Sequence, residues 1–554
     1  MDPVIQGRDA MSRHAWEEAA QAFTDADQSE GGLLPEELQL LAEASWWCGR
    51  PDDAVEAWER AFAAYLDAGQ RSAAAAVGIR LAEYAARRGT ISVANGWIVR
   101  IERLLEGEPE SVAHGWLAVG RSTFAMLLFG DPDAAVAFAD QALEIGRRHE
   151  SADVQSLALS IKGAALVRQG KWAEGMALMD EATIAASSGE LAPKTACDVY
   201  CVTISTCCGV ADYRRAGEWT DQADRWMQRQ DIRGYRGECR VYRAELKRLQ
   251  GSWSEAEQEA RHACRELEEF HLMDAVGMAH YEMGEVRLHM GDLAAAEESF
   301  TSAHEYGRDP LPGLALLMLA RGEVAEAAGM INRKLAAEPT ASPTGSESRD
   351  LLGRALLLPA QVEIALAAND LETARAAADE LVNLAEKFDS VALKAAALQC
   401  SGALYLGQDQ AEAAIASLSQ AWRLWQQIEL PYESARARML LGQARAATGD
   451  KGTARLELRA ARTTFERLGA TLDLRRVNEL LAEEGTADPG DRHRVTKTFM
   501  FTDIVTSTDL VGLIGDAAWE ELLRWHDRAL RAEFSHHGGE EVKHTGDWFF
   551  VAFD

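Results

Sequence analysis

From about Arg13 to Glu484, apolar residues recur with the spacing of one helical face, in runs separated by short polar turns. One phrase returns about every 40 residues: a small helix-ending residue, a polar turn, then an Ala-rich amphipathic run carrying an aromatic or aliphatic anchor. It stands at Arg50-Pro51-Asp52-Asp53-Ala54, Gly130-Asp131-Pro132-Asp133-Ala134, Gly170-Lys171-Trp172-Ala173, Gly251-Ser252-Trp253-Ser254, Gly291-Asp292-Leu293-Ala294 and Gly449-Asp450-Lys451-Gly452. A glycine can close one helix in a left-handed conformation, the next Asp or Ser can cap the following helix, and alanines let the two helices approach closely. One such hairpin cannot bury its own apolar face. Stacked hairpins can, so the pattern predicts a right-handed superhelix with a concave surface.

This periodicity resembles tetratricopeptide repeats in their longer form. The resemblance implies an α-solenoid whose concave face takes a protein or peptide ligand; Trp46, Trp47, Trp172, Trp219 and Trp253 are either anchors for it or hairpin core. Pro339 to Ser348 (PTASPTGSES) interrupts the pattern, so the array is read as residues 1–338 and 349–484 on either side of a Pro/Ser/Gly-rich loop at 339–348.

After Glu484 the helical period stops. Residues 485–494 read as a polar linker, and 495–554 as a separate unit. Lys497 to Asp503 alternates as a strand and delivers a carboxylate at its end. Ser507 and Thr508 follow at a predicted helix start, where unpaired N–H groups favour an anion. A helix is predicted from Ala517 to Ser535, then a β-hairpin with arms Glu540–Thr545 and Trp548–Phe553 around Gly546-Asp547.

In order and spacing, Phe501-Thr502-Asp503-Ile504-Val505 with Ser507-Thr508, then Gly515-Asp516, then His537-Gly538-Gly539 leading to Val542-Lys543-His544-Thr545-Gly546-Asp547, resemble the opening part of a class III adenylate/guanylate cyclase domain. That resemblance implies an α+β, ferredoxin-like fold converting ATP, or GTP, to a cyclic nucleotide and pyrophosphate. Two Mg²⁺ or Mn²⁺ ions would be held by Asp503, Asp547 and the carbonyl of Ile504, since joining the ribose oxygen to the α-phosphate needs both attacking and leaving oxygens stabilised. Lys543 would contact the purine, and the backbone around Ser507 and Thr508 would cradle the phosphates. Active sites of this family lie between two such domains, which implies a homodimer. The neighbouring Gly538-Gly539-Glu540-Glu541 has Val542 where the diguanylate cyclase signature has Phe.

The sequence departs from the family in two ways. The second purine-specifying residue and the Asn and Arg that stabilise the transition state would fall beyond Asp554, so the chain is expected to be truncated and inactive alone, with Phe549 to Phe553 as an exposed apolar arm. Trp548 stands where the family has Gly, a position where a left-handed conformation would strain it. The alternative reading is therefore a non-catalytic repeat scaffold with a degenerate cyclase remnant.

Composition narrows the choice further. A formal net charge of −31 over 554 residues repels nucleic-acid backbones. The most apolar stretch, Leu351 to Asn369, is broken by Arg354, Gln361 and Glu363, and the N-terminus lacks a signal-peptide pattern, which predicts a cytoplasmic protein. Of the eight cysteines, Cys197, Cys201, Cys207 and Cys208 cluster along one predicted helix without the paired spacing of a zinc site, and read as small core residues.

Overall fold

The computed structural model describes residues 2–29, 32–127, 130–230, 238–336, 351–388, 390–485, 498–502, 515–537, 539–545 and 548–553. The chain divides into two units, Met1–Glu484 and Gly485–Asp554.

The first unit is all helix. Its antiparallel pairs are α1 (Pro3–Ser12) with α2 (Trp16–Asp27), α3 (Pro35–Trp47) with α4 (Pro51–Asp67), α5 (Arg71–Arg87) with α6 (Ile91–Leu105), α7 (Val112–Leu127) with α8 (Pro132–Arg148), and α9 (Ala152–Arg168) with α10 (Trp172–Ser188). Next come α11 (Pro193–Gly209) with α12 (Tyr213–Arg229), α13 (Glu238–Leu249) with α14 (Trp253–Glu269), α15 (Met273–Met290) with α16 (Leu293–Glu305), and the short α17 (Gly313–Ala320) with α18 (Val324–Ala336). The last are α19 (Leu351–Ala367) with α20 (Leu371–Phe388), α21 (Val391–Gly407) with α22 (Ala411–Gln427), and α23 (Pro431–Ala447) with α24 (Lys451–Leu468), followed by α25 (Thr471–Gly485). The first helix of the array begins at Pro3. The loop predicted at Pro339–Ser348 lies outside the described residues; α18 and α19, on either side of it, pack together, and one apolar cluster includes Phe300, Ile331, Leu358 and Phe388.

Within the hairpins a steric rule repeats. A glycine on the first helix faces a large side chain sixteen residues later on the second: Gly7 with Phe23, Gly163 with Met179, Gly284 with Phe300, Gly402 with Leu418, and Gly442 with Leu458. A Cβ at Gly284 would lie 2.5 Å from the Phe300 ring, and one at Gly402 would lie 2.5 Å from Leu418. The residue twelve after each of these glycines is Ala19, Gly175, Ala296, Ala414 and Ala454, all small, so the helix backbones meet closely there. The glycines noted in the turns hold positive φ, as at Gly130 (60°), Gly251 (85°) and Gly449 (85°), and Asp131, Asp292 and Asp450 accept from the N–H groups of Ala134, Ala295 and Thr453.

The superhelix is closed on itself. His14 Nδ1 lies 2.7 Å from the Gln230 carbonyl across 216 residues, Ser390 Oγ donates to the Ala211 carbonyl across 179, and Thr471 Oγ1 donates to the Met290 carbonyl across 181. Each superhelical turn therefore takes about five hairpins and rests on the turn before. Trp253 belongs to the same seam, with its ring against His289 (5.6 Å) and Tyr432 (5.6 Å). At Gly291 a hairpin turn and the seam coincide: a Cβ there would fall 2.0 Å from Thr471 Oγ1, whereas around Gly449, at nearly the same φ, there is open space. Gly449→Ala is expected to cost about 1–2 kcal/mol for the left-handed residue alone, and Gly291→Ala about 1–3 kcal/mol more through the clash. Denaturant midpoints of the two variants measure that difference, and equal midpoints would mean that the seam carries no load.

The second unit is a three-stranded antiparallel sheet with one helix: β1 (Thr498–Thr502), α26 (Asp516–His536), β2 (Gly539–Thr545) and β3 (Trp548–Phe553), in the order β1-β3-β2. Strands β1 and β2 run parallel with β3 inserted between them, so β1-α26-β2 is a split crossover. The expectation of an exposed apolar arm at Phe549–Phe553 is corrected: β3 is the central strand, and Phe549 and Val551 are fully buried, with Phe534 of α26 in the same cluster. The exposed aromatics are instead Phe499 and Phe501 of β1 and Trp525 of α26. Trp548 opens β3, in register with Thr545.

Candidate functional site

Most first helices of the hairpins, such as α9, α15 and α21, are buried around most of their circumference, because each packs against its own partner and the neighbouring first helices, whereas α13 (Glu238–Leu249) is rich in charged residues. The second helices are mostly amphipathic and form the outer layer. From α5 onward the inner helices enclose a cavity of about 1940 Å³. It is narrow enough for side chains to bridge it: Lys194 of α11 pairs with Glu83 of α5 at 3.1 Å, and Arg87 of α5 with Asp198 of α11 at 3.2 Å. In a chain with far more carboxylates than basic residues, this wall carries the two in equal number among the described residues.

Its most buried charges come from α13 and α15, joined by α23 of the next superhelical turn. Glu245 and Arg248 stand one helical turn apart on α13, and Tyr281, Glu282, Glu285 and His289 form one stripe on α15. Arg248 Nε donates to Glu282 at 2.8 Å and Arg248 Nη1 lies 3.9 Å from Glu285, with both side chains of the first pair about nine-tenths buried. Across the seam Arg436 pairs with Glu363 at 2.6 Å and with Glu433 at 3.7 Å, and the Tyr432 hydroxyl donates to Asp473 at 2.9 Å. Glu285 Oε1 and His289 Nδ1 are buried without a hydrogen-bond partner.

Too few cations reach these acids. Burial, then repulsion from Glu282, pushes the Glu245 carboxyl up to about 7, against the opposing pull of Arg248 and Arg308. Burial likewise raises Glu285 and Asp473 and holds His289 well below the ordinary histidine range. A carboxyl raised in the folded state keeps its proton where the unfolded chain has lost it, so the fold loses stability as pH climbs from the ordinary carboxylate range through 7. Glu245→Gln is therefore expected to gain about 1–3 kcal/mol over the parent at pH 8 and little at pH 5, as read by melting temperature at the two pH values. A pH-independent difference would show that Glu245 does not hold that proton.

These lumen residues were not singled out from sequence, although Glu and Arg on otherwise apolar helices, as in Tyr281-Glu282-Met283-Gly284-Glu285, carried the signal. The tryptophans considered as ligand anchors do not line the lumen. Trp46 packs on Trp58, Tyr84 and Phe270, and Trp219 donates to Asp180 at 3.2 Å. Cys197 and Cys207 are buried in the core around α11, whereas Cys201 and Cys208, also buried, border the lumen, the Cys201 sulfur 3.0 Å from that of Cys239 on α13.

Of the residues read as a nucleotide and metal site, Asp503, Ile504, Ser507, Thr508 and Asp547 lie outside the described residues. Lys543 is on β2 opposite Phe550, just after a register shift that follows Glu541. Among the described residues no group of three or more His, Cys, Asp or Glu side chains is placed to hold a metal ion, and no helix is long and apolar enough to cross a membrane.

No family model matches the chain, and no curated protein matches it. Among solved structures, it is similar to the Rap protein crystallised with competence and sporulation factor (12% identity, TM-score 0.39, covering 74% of this chain and 99% of that one). It is also similar to a chain of the APC/C hetero-tetramer Cut9-Hcn1 (14%, 0.34, 85% and 95%) and to yeast Tom70 (13%, 0.30, 88% and 96%). The likeness is low, and the reading of the first unit as a tetratricopeptide-like solenoid rests on the hairpin geometry of the chain itself.

Proposed function

We propose that the chain is a helical-repeat binding protein whose lumen takes an extended peptide segment of a protein partner. The observation that carries this reading is the lumen itself, a large cavity walled by inner helices and lined by ionisable side chains such as Glu245, Glu282, Glu285 and Arg436. The test is selection of binders from a random linear-peptide library on the full chain. Ala403→Trp, which fills the lumen from α21, is expected to weaken the selected peptides about tenfold or more, while Leu456→Trp on the outside of α24 leaves them unchanged. Equal binding by both variants would overturn the reading.

A second reading, that the unit after Gly485 is class III cyclase-type, is favoured by one feature: its split β-α-β order with β3 in the middle is the half-sheet that a ferredoxin-like domain requires. On this reading Asp503, Asp547 and the Ile504 carbonyl offer the hard oxygen ligands that Mg²⁺ or Mn²⁺ prefers, Lys543 contacts the purine of ATP or GTP, and two copies of the unit pair to complete the site. Incubation with Mn²⁺ and ATP or GTP tests it. Cyclic nucleotide lost on Asp503→Ala supports a regulated cyclase, and absence of product with both nucleotides leaves the binding protein alone.

A further inference from the structure

We infer that the lumen site around α13 and α15 takes a positively charged group, the guanidinium or ammonium of a basic side chain on the bound peptide, seated between Glu285, Glu282 and Glu245. This rests on the reading of the lumen as a peptide site and specifies its chemistry.

Three observations converge on it. First, the carboxylates facing this part of the lumen come from four inner helices and two superhelical turns: Glu245 on α13, Glu282 and Glu285 on α15, Glu363 on α19 and Glu433 on α23. The cations facing them are Arg248, Arg308 and Arg436, so acids exceed bases locally although the lumen as a whole is balanced. Secondly, those arginines are already engaged. Arg248 is fixed on Glu282, Arg436 on Glu363 and Glu433, and the Arg308 guanidinium lies 5.5 Å from the centre of the Tyr281 ring. Thirdly, Glu285, with 9% of its surface exposed, borders the cavity, and its carboxylate stands 3.9 Å from Arg248, which is already committed to Glu282. An anion would meet this carboxylate excess unfavourably, and a neutral group would leave it unrelieved. A cationic donor supplies the missing charge and bonds to the carboxylates that carry it.

Entry of such a group also displaces a proton. The groups facing Glu245 are Glu282, Arg248, Arg308, the Cys208 thiol and Tyr213, and with the lumen empty Glu245 shares the site with its proton. A bound cation takes the place of that proton, so binding near pH 6 should release protons and should tighten as pH rises toward 8.

The probes are N-acetyl-Gly-Gly-Arg-Gly-Gly-amide, the same peptide with norleucine for arginine, and spermidine, titrated calorimetrically into the full chain at pH 6 and pH 8 in two buffers of different ionisation enthalpy. The arginine peptide is expected to bind with proton release at pH 6, and Glu285→Gln to weaken it about tenfold or more without unfolding the protein, since Arg248 keeps its bond to Glu282. Equal binding of the norleucine peptide overturns the cationic site while leaving the lumen a peptide site. Binding of neither peptide overturns the peptide reading itself. Spermidine binding in place of the arginine peptide, and lost equally in Glu285→Gln, would identify a free polyamine as the source of the charge and overturn the peptide assignment.

Discussion

Arg248→Ala should destabilise the repeat unit by about 3–5 kcal/mol. The guanidinium is held between α13 and α15 with Glu282 at 2.8 Å, and its removal leaves Glu282 and Glu285, both about nine-tenths buried, and Glu245 without that cation. The loss is mainly the cost of acids left uncompensated, so pairing the change with Glu282→Leu should recover a good part of it. Denaturant unfolding of the two single variants and the double variant, combined as a thermodynamic cycle, measures the coupling. A loss below about 1 kcal/mol for Arg248→Ala would mean that the pair behaves as an exposed ion pair screened by water.

The second large effect is expected at Phe300. Its ring is fully buried and seated between two glycines of neighbouring inner helices, Gly284 on α15 and Gly313 at the start of α17, with Tyr281 5.5 Å away. Neither glycine position can accept a Cβ beside that ring, so Phe300→Ala leaves a cavity that rigid backbone on both sides cannot close. A cost of about 3–5 kcal/mol follows. Gly284→Val should be destabilising for the opposite reason, by overpacking, and should cost much less in the Phe300→Ala background, where the space is open. Additive effects of the two changes would contradict the slot geometry.

These two sites also show how far the fold was legible. Hairpin turns written with Gly and Asp could be read directly because the left-handed conformation demands glycine there. The turns at Ala211, Asn369 and Asp409 hold the same conformation (φ 57°, 58° and 58°) without it, and offered no such signal. The spacing from Gly284 to Phe300, repeated from Gly7 to Phe23 and from Gly442 to Leu458, was present in the sequence and went unread, because its meaning lies in contacts across the hairpin rather than along one helix. The closure of the superhelix could not be read at all. It accumulates from small rotations at every hairpin, and only its result brings Thr471 to Met290 or Tyr432 to Trp253. The lumen charges follow the same logic, since Glu245 and Glu433 become neighbours of one site only after a full turn. In the second unit the strands and helix were legible within a residue or two, while the central place of β3, and with it the burial of Phe549, depended on strand order.

The seam between turns has a mechanical consequence. An open solenoid yields like a spring, because each hairpin need only rotate slightly against the next. Here extension along the axis must first part Thr471 from Met290, Ser390 from Ala211 and Tyr432 from the Trp253 and His289 rings. Under load such a coil stays at fixed length until its seam fails, and then lengthens in one step.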